Sequence, residues 1–145
     1  VNGHLNLHLH PTVFSILVSN AHSWGITTLR LTRDLFWLNA KLARGHWFYR
    51  ASHALVFAAL SGSAGPHLKR HRIRHARTVF GLLQNGRVDE TFVAQLLSRL
   101  PAGDSELYSH PSLDVFKHEL DALISPRVRR LVQEQNIKLI RYQEL

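Results

Sequence analysis

Hydrophobic and polar positions alternate over His4-Leu5-Asn6-Leu7-His8-Leu9-His10. A period of two is that of a β-strand, whose successive side chains face opposite sides. The pattern predicts a strand with Leu5, Leu7 and Leu9 on one face and His4, Asn6, His8 and His10 on the other. Pro11, which cannot donate to a sheet ladder, would end it. The period then becomes helical. Thr12 can cap a helix carrying Val13, Phe14, Ile16, Leu17 and Val18, closed by Gly25. Ile26 to Leu31 is β-branched and apolar and reads as a second strand, with Arg30 near its C-terminal end. Thr32 or Asp34 would start a helix through Phe36, Trp37 and Leu38. Helical spacing returns over residues 46–61, and Ser61-Gly62-Ser63-Ala64-Gly65-Pro66 is expected to break the chain.

Thr78-Val79-Phe80-Gly81-Leu82 reads as a short strand, and Asp89 caps a helix with Phe92, Val93, Leu96, Leu97 and Leu100 on one face. Ser105 to Pro111 is a strand that delivers His110 to its end. Ser112 and Asp114 open a helix through Phe116, Leu120 and Leu123, and Ser125-Pro126 starts the next. Ile137 to Tyr142 would be a closing strand. Strands at 4–10, 26–31, 78–82, 105–110 and 137–142 thus alternate with helices. That alternation predicts an α/β fold with a parallel sheet or barrel, in which ligands gather at the C-terminal strand ends. Arg30 and His110 fall at such ends.

The length of 145 residues suits one domain. With no cysteine, zinc–thiolate sites and thiol nucleophiles are excluded. The absence of cysteine fits a reducing compartment, no secretory signal is visible, and a cytoplasmic location is expected. The longest apolar run, Ala54 to Leu60, is too short to span a bilayer. The chain opens at Val1 inside a strand pattern and contains no Met, so residues upstream are expected to be missing. The net charge of +8 is concentrated in Lys69-Arg70-His71-Arg72-Ile73-Arg74-His75-Ala76-Arg77. This segment reads as a solvated face or as a contact for nucleic acid or anionic lipid headgroups. It lacks interleaved aromatics and any zinc-finger or RNA-recognition signature, so no nucleic-acid partner is expected.

Spacing limits what the opening histidines can do together. On a regular strand residues i and i+2 lie about 6.6 Å apart and i and i+4 about 13 Å. His4 and His8 could not bind one ion together, whereas His4 with Asn6, or His8 with His10, could. The alternative is a half-buried strand whose polar face is simply wet or hydrogen-bonded structurally.

Gly3 to Phe14 resembles the Asp-x-His-x-x-x-His-x-x-Pro signature of the YdjC/ChbG-like carbohydrate deacetylases. Ile26 to Arg30 is similar to that family's following strand and arginine, and Phe80-Gly81 with the helix to Leu100 fits its next block. Glu106-Leu107-Tyr108-Ser109-His110-Pro111 resembles its Glu-Leu-x-x-His-Pro motif. The wording is closest to the hopanoid-biosynthesis-associated HpnK branch. Asn2 stands where the family usually has Asp, and Arg77 where an acidic residue is common. The resemblance covers the C-terminal half of a family member as one domain, residues 1–145. It implies part of a deformed (β/α) TIM-like barrel of the polysaccharide-deacetylase type.

The resemblance also implies a divalent metal ion (Mg or Zn) with His4 as a ligand, His110 and Arg30 as catalytic residues, and His8 and Asn6 near substrate or behind the ligands. The implied reaction is hydrolysis of the acetamide of an N-acetylated sugar or glycolipid. His110 would donate a proton to the leaving amine and Arg30 would hold a carboxylate in position. No side chain need attack the carbonyl, which agrees with the lack of a Ser or Cys elbow. Two other readings stay open: a non-catalytic basic module acting through residues 69–77, and an inactive relic of the deacetylase fold. Exposed edges of half a barrel would favour a homo-oligomer.

Overall fold

The computed structural model describes residues 1–33, 38, 47–84 and 86–145. Extended stretches lie side by side within it. The Val1 nitrogen donates to Thr28 O (2.5 Å) and Arg30 N to Val1 O (3.0 Å). Thr28 forms a parallel bridge with Arg74, through Leu29 N to Arg74 O (3.0 Å) and Arg74 N to Thr27 O (2.9 Å). Strand β1 (Thr78–Phe80) pairs in parallel with β2 (Ser105–Leu107), with Thr78 opposite Ser105 and Phe80 opposite Leu107. The fold is mixed helix and strand, with a two-stranded parallel sheet among the described residues. A parallel pair needs a crossover, and helix α3 (Glu90–Leu97) lies on the connection from β1 to β2.

Helices form where capping chemistry and apolar spacing agree. Helix α1 (Pro11–Ser19) begins on Pro11, whose missing N–H is one the first turn would leave unpaired. The Asp89 side chain accepts from Phe92 N at 2.8 Å and starts α3, which buries Phe92, Val93, Ala94 and Leu96. Helix α4 (Lys117–Ile124) precedes α5 (Pro126–Glu134), which Ser125 caps by accepting from Arg127 N and Val128 N. These starts match the sequence expectations, except that α1 is entered from His10 rather than Thr12 and α4 begins after Ser112 and Asp114.

Among the described residues the core has two parts. Leu9, Val18, Ala21, Leu29, Leu31, Ala64, Leu68 and Ile73 cluster where α1 meets helix α2 (Trp47–Arg70). Phe80, Val88, Phe92, Val93, Leu96, Ala122 and Val128 cluster among β1 and α3 to α5. No helix among the described residues is long and apolar enough to cross a membrane.

Three expectations are corrected. The opening segment is no strand: His4–Leu9 is 3-10 in character, and Leu5 (φ 50°) and Asn6 (φ 58°) occupy the left-handed region. The chain folds back, so Leu5 and Leu7 face solvent while the neighbours His8 and Leu9 are both buried, which no alternating face allows. Second, α2 runs through Gly62, Gly65 and Pro66 to Arg70. An interior proline costs about 3 kcal/mol. The burial of Ala64 and Leu68 on that same stretch offsets the cost, so packing overrides propensity. Third, residues 137–142 form no strand; Asn136 (φ 52°) turns the chain at the end of α5 and Ile137 N bonds back to Val132 O. Ile26 to Leu31 forms no named strand; among the described residues it bonds to Arg74 through the bridge at Thr28 and to Val1 through Thr28 and Arg30. The helix expected from Thr32 or Asp34 through Trp37 lies mostly outside the described residues.

Candidate active site

Alternation along β2 and its continuation brings Glu106, Tyr108 and His110 onto one face, since each is two residues from the next. Across the layer, Arg30 extends its guanidinium to Glu106. Nε donates to Glu106 Oε1 at 2.7 Å and Nη2 donates to the same oxygen. Both side chains are 12% exposed, which removes most solvent screening from the pair. The other carboxylate oxygen, Oε2, accepts from the Tyr142 hydroxyl at 2.6 Å. Glu106 is therefore held at both oxygens. Arg30 Nη1 is buried and has no hydrogen-bond partner among the described residues. Burial, reinforced by the Glu106 carboxylate, pushes the Tyr142 phenol well above its ordinary value.

Tyr108 connects this pair to His110. The Arg30 guanidinium carbon stands 5.0 Å from the centre of the Tyr108 ring, a cation–π contact. The Tyr108 hydroxyl lies 2.7 Å from His110 Nε2, and the two rings meet edge to face at 4.7 Å. The Phe116 ring also packs near the imidazole, the two ring centres 5.8 Å apart. The His110 side remains exposed, so the ring can meet a ligand from solvent. Tyr108 also depends on Gly81, at φ 95°, because a Cβ there would come within 2.0 Å of the Tyr108 carbonyl oxygen. Only glycine combines that backbone angle with so close an approach.

His8 joins the cluster from behind, through backbone. Gly3 N donates to its Nδ1 at 2.9 Å, so Nε2 carries the proton and donates to Arg30 O, also at 2.9 Å. Both ring nitrogens are consumed, and His8 offers neither a metal nor a substrate a lone pair. Burial lowers its basicity, and the Arg30 charge adds to this. Gly3 admits the fold-back because a Cβ there would sit 2.9 Å from the His8 backbone nitrogen and 3.3 Å from ring Nδ1.

Of the residues singled out from sequence, the structure thus joins Arg30 and His110 through Glu106 and Tyr108, and ties His8 to the Arg30 carbonyl. His4 is exposed and, among the described residues, makes no hydrogen bond, ion pair or ring contact. Asn6 enters through its backbone, donating to Gly3 O at 3.0 Å. The described residues bring no three His, Cys, Asp or Glu side chains together as a metal site. Of the residues given a site role from the sequence, His4 alone has an exposed imidazole with no partner among the described residues, so it is the side chain here that could meet a ligand from solvent. Sequence reasoning gave Glu106 and Tyr108 no site role, although their places four and two residues before His110, on the same face of an extended run, carried the signal. Tyr142 had none, being read as part of a strand.

Comparison with curated proteins gives no match, and neither does comparison with solved structures. The model of the YdjC-like protein family matches residues 1–134, nearly the whole chain, including every member of the cluster but Tyr142. By that match the chain belongs to the YdjC-like family, a group of carbohydrate-deacetylase-like hydrolases.

Proposed function

We propose that this chain belongs to a hydrolase that removes the acetyl group from an N-acetylated sugar or glycolipid, cleaving a carbon–nitrogen bond other than a peptide bond. The observation that carries this reading is the connected cluster of Arg30, Glu106, Tyr108 and His110 inside the family match. Glu106, gripped by Arg30 and Tyr142, fixes the position of the guanidinium and of the Tyr108 ring packed on it. Tyr108 sets the orientation of the imidazole. His110, exposed on its outer side, delivers a proton to the departing amine as water adds to the acetyl carbonyl and acetate leaves. An imidazole is suited to this because its ordinary pKa of about 6.5 lets it hold and release a proton near neutrality.

The same reading places the chain in a (β/α) barrel and in the HpnK branch. If a divalent metal takes part, His4 is the side chain this segment would offer it, and no step above passes through a metal. Acetate release from N-acetylglucosamine and its oligomers tests the proposal. His110→Ala should lower the rate by about 100-fold or more, in the range of a lost general acid. No acetate from any N-acetylated sugar, or an undiminished rate in His110→Ala, would refute it.

A second reading has one observation in its favour. Among the described residues none of Lys69, Arg70, Arg72, Arg74 and Arg77 is ion-paired. Arg33, Lys69, Arg74 and His75 line an open cleft of about 880 Å³. A basic module contacting anionic headgroups would bind vesicles containing phosphatidylserine with an affinity that falls steeply with salt.

A further inference from the structure

Glu119 is the one carboxylate among the described residues that is wholly buried, at 0% exposure, and no cation pairs with it there. A lone buried charge is costly unless hydrogen bonds stabilise it. Here two backbone amides do so: Oε1 accepts from Val88 N at 3.0 Å and Oε2 from His110 N at 2.5 Å. One side chain on α4 thereby fastens the approach to α3 and the end of the extended run from β2. The second of these is the backbone of His110 itself. From there the restraint passes outward, since the ring so placed meets both Tyr108 and Phe116. Phe116 in turn is braced against Gly86, where a Cβ would come within 2.6 Å of the ring.

We propose that Glu119 is the positioning residue for His110: its carboxylate, inaccessible to any substrate, sets the place of the imidazole by holding its backbone amide. The inference rests on the deacetylase reading for what the imidazole does, but the placement can be measured without turnover. A group serving only the core needs neither a charge nor two oxygens aimed at separate amides, and a leucine would fill the same volume. Glu119→Gln isolates the point. A carboxamide keeps the shape but has one accepting oxygen, so its NH2 must face one of the two amides and one bond is lost.

The experiment is NMR of the folded, uniformly 15N-labelled protein, comparing wild type, Glu119→Gln and Glu119→Asp. In the wild type the His110 and Val88 amide protons should lie downfield and exchange slowly, as charge-assisted bonds require. In Glu119→Gln the His110 ring nitrogens should shift as the bond to Tyr108 is disturbed, while the His8 ring signals stay in place. Glu119→Asp, which keeps both oxygens, should restore part of the wild-type pattern. With an N-acetylglucosamine oligomer as substrate, Glu119→Gln should lower kcat about 10- to 100-fold and leave KM within about twofold, the pattern of a misplaced reacting group. Unchanged His110 ring signals in a folded Glu119→Gln protein would overturn the proposal, as would rapid exchange of the His110 amide in the wild type. The wild-type exchange measurement decides even if Glu119→Gln does not fold. If the wild type releases no acetate, the deacetylase reading fails while the ring and amide measurements still decide the positioning.

Discussion

Replacing His8 with alanine tests how the opening segment is held. The imidazole is 2% exposed, and it joins the Gly3 amide to the Arg30 carbonyl, two groups 27 positions apart in the chain (30 − 3). Its removal leaves a donor and an acceptor unpaired, at about 1–3 kcal/mol each. The total of about 2–5 kcal/mol, allowing some rehydration, should lower the melting temperature by roughly 5–15 °C for a domain of this size. The assay is thermal unfolding followed by far-ultraviolet circular dichroism at pH 7.5. A pH series adds a second check. Burial holds the His8 pKa below that of the unfolded chain, so below about pH 6.5 the unfolded state binds more protons there. Stability supplied through His8 is therefore present above that pH and is lost as pH falls toward the folded value. The gap between wild type and His8→Ala should narrow on acidification. A variant within about 0.5 kcal/mol of wild type at pH 7.5, or a gap that widens below pH 6.5, would refute the reasoning.

Glu106→Gln leaves the Arg30 guanidinium buried beside a neutral amide, and the loss of a largely desolvated partner should cost about 3–5 kcal/mol by urea unfolding; a change below about 1 kcal/mol would place the pair in the weak class of exposed ion pairs. Gly81→Ala puts a Cβ against the Tyr108 carbonyl at a positive φ, and should cost at least about 2 kcal/mol and displace the Tyr108 ring signals in NMR. An unperturbed Tyr108 in that variant would contradict the close approach.

Local chemistry was readable wherever it acted alone. Asp89 and Ser125 cap α3 and α5 by bonding amides two or three residues ahead, and such bonds need nothing from the rest of the fold. The short strands around Thr78 and Ser105 were visible for a similar reason, as brief β-branched or alternating runs between turn signals. Alternation failed at His4–Leu9 because a strand exists only when its backbone has an edge to pair with. There the His8 ring supplied a nearer partner, and the chain turned back on Gly3. The same ambiguity misled the reading of residues 137–142. The candidate site divides likewise: Arg30 and His110 stood out as polar residues at strand ends, and the motif around His110 carried the family. The carboxylates that hold them, Glu106 at the guanidinium and Glu119 at the amide, were not singled out.

By itself the sequence determined the capped starts of α3 and α5, the short strands at Thr78 and Ser105, the basic excess and the family, because these depend on residue identity and short-range spacing. Tertiary structure alone decided that α2 continues through Pro66, that His8 is spent on backbone, and that Arg30, Glu106, Tyr108, His110 and Tyr142 form one cluster. Each of those outcomes turns on a partner tens of residues away, or on burial that outweighs a local preference. No window along the chain contains either.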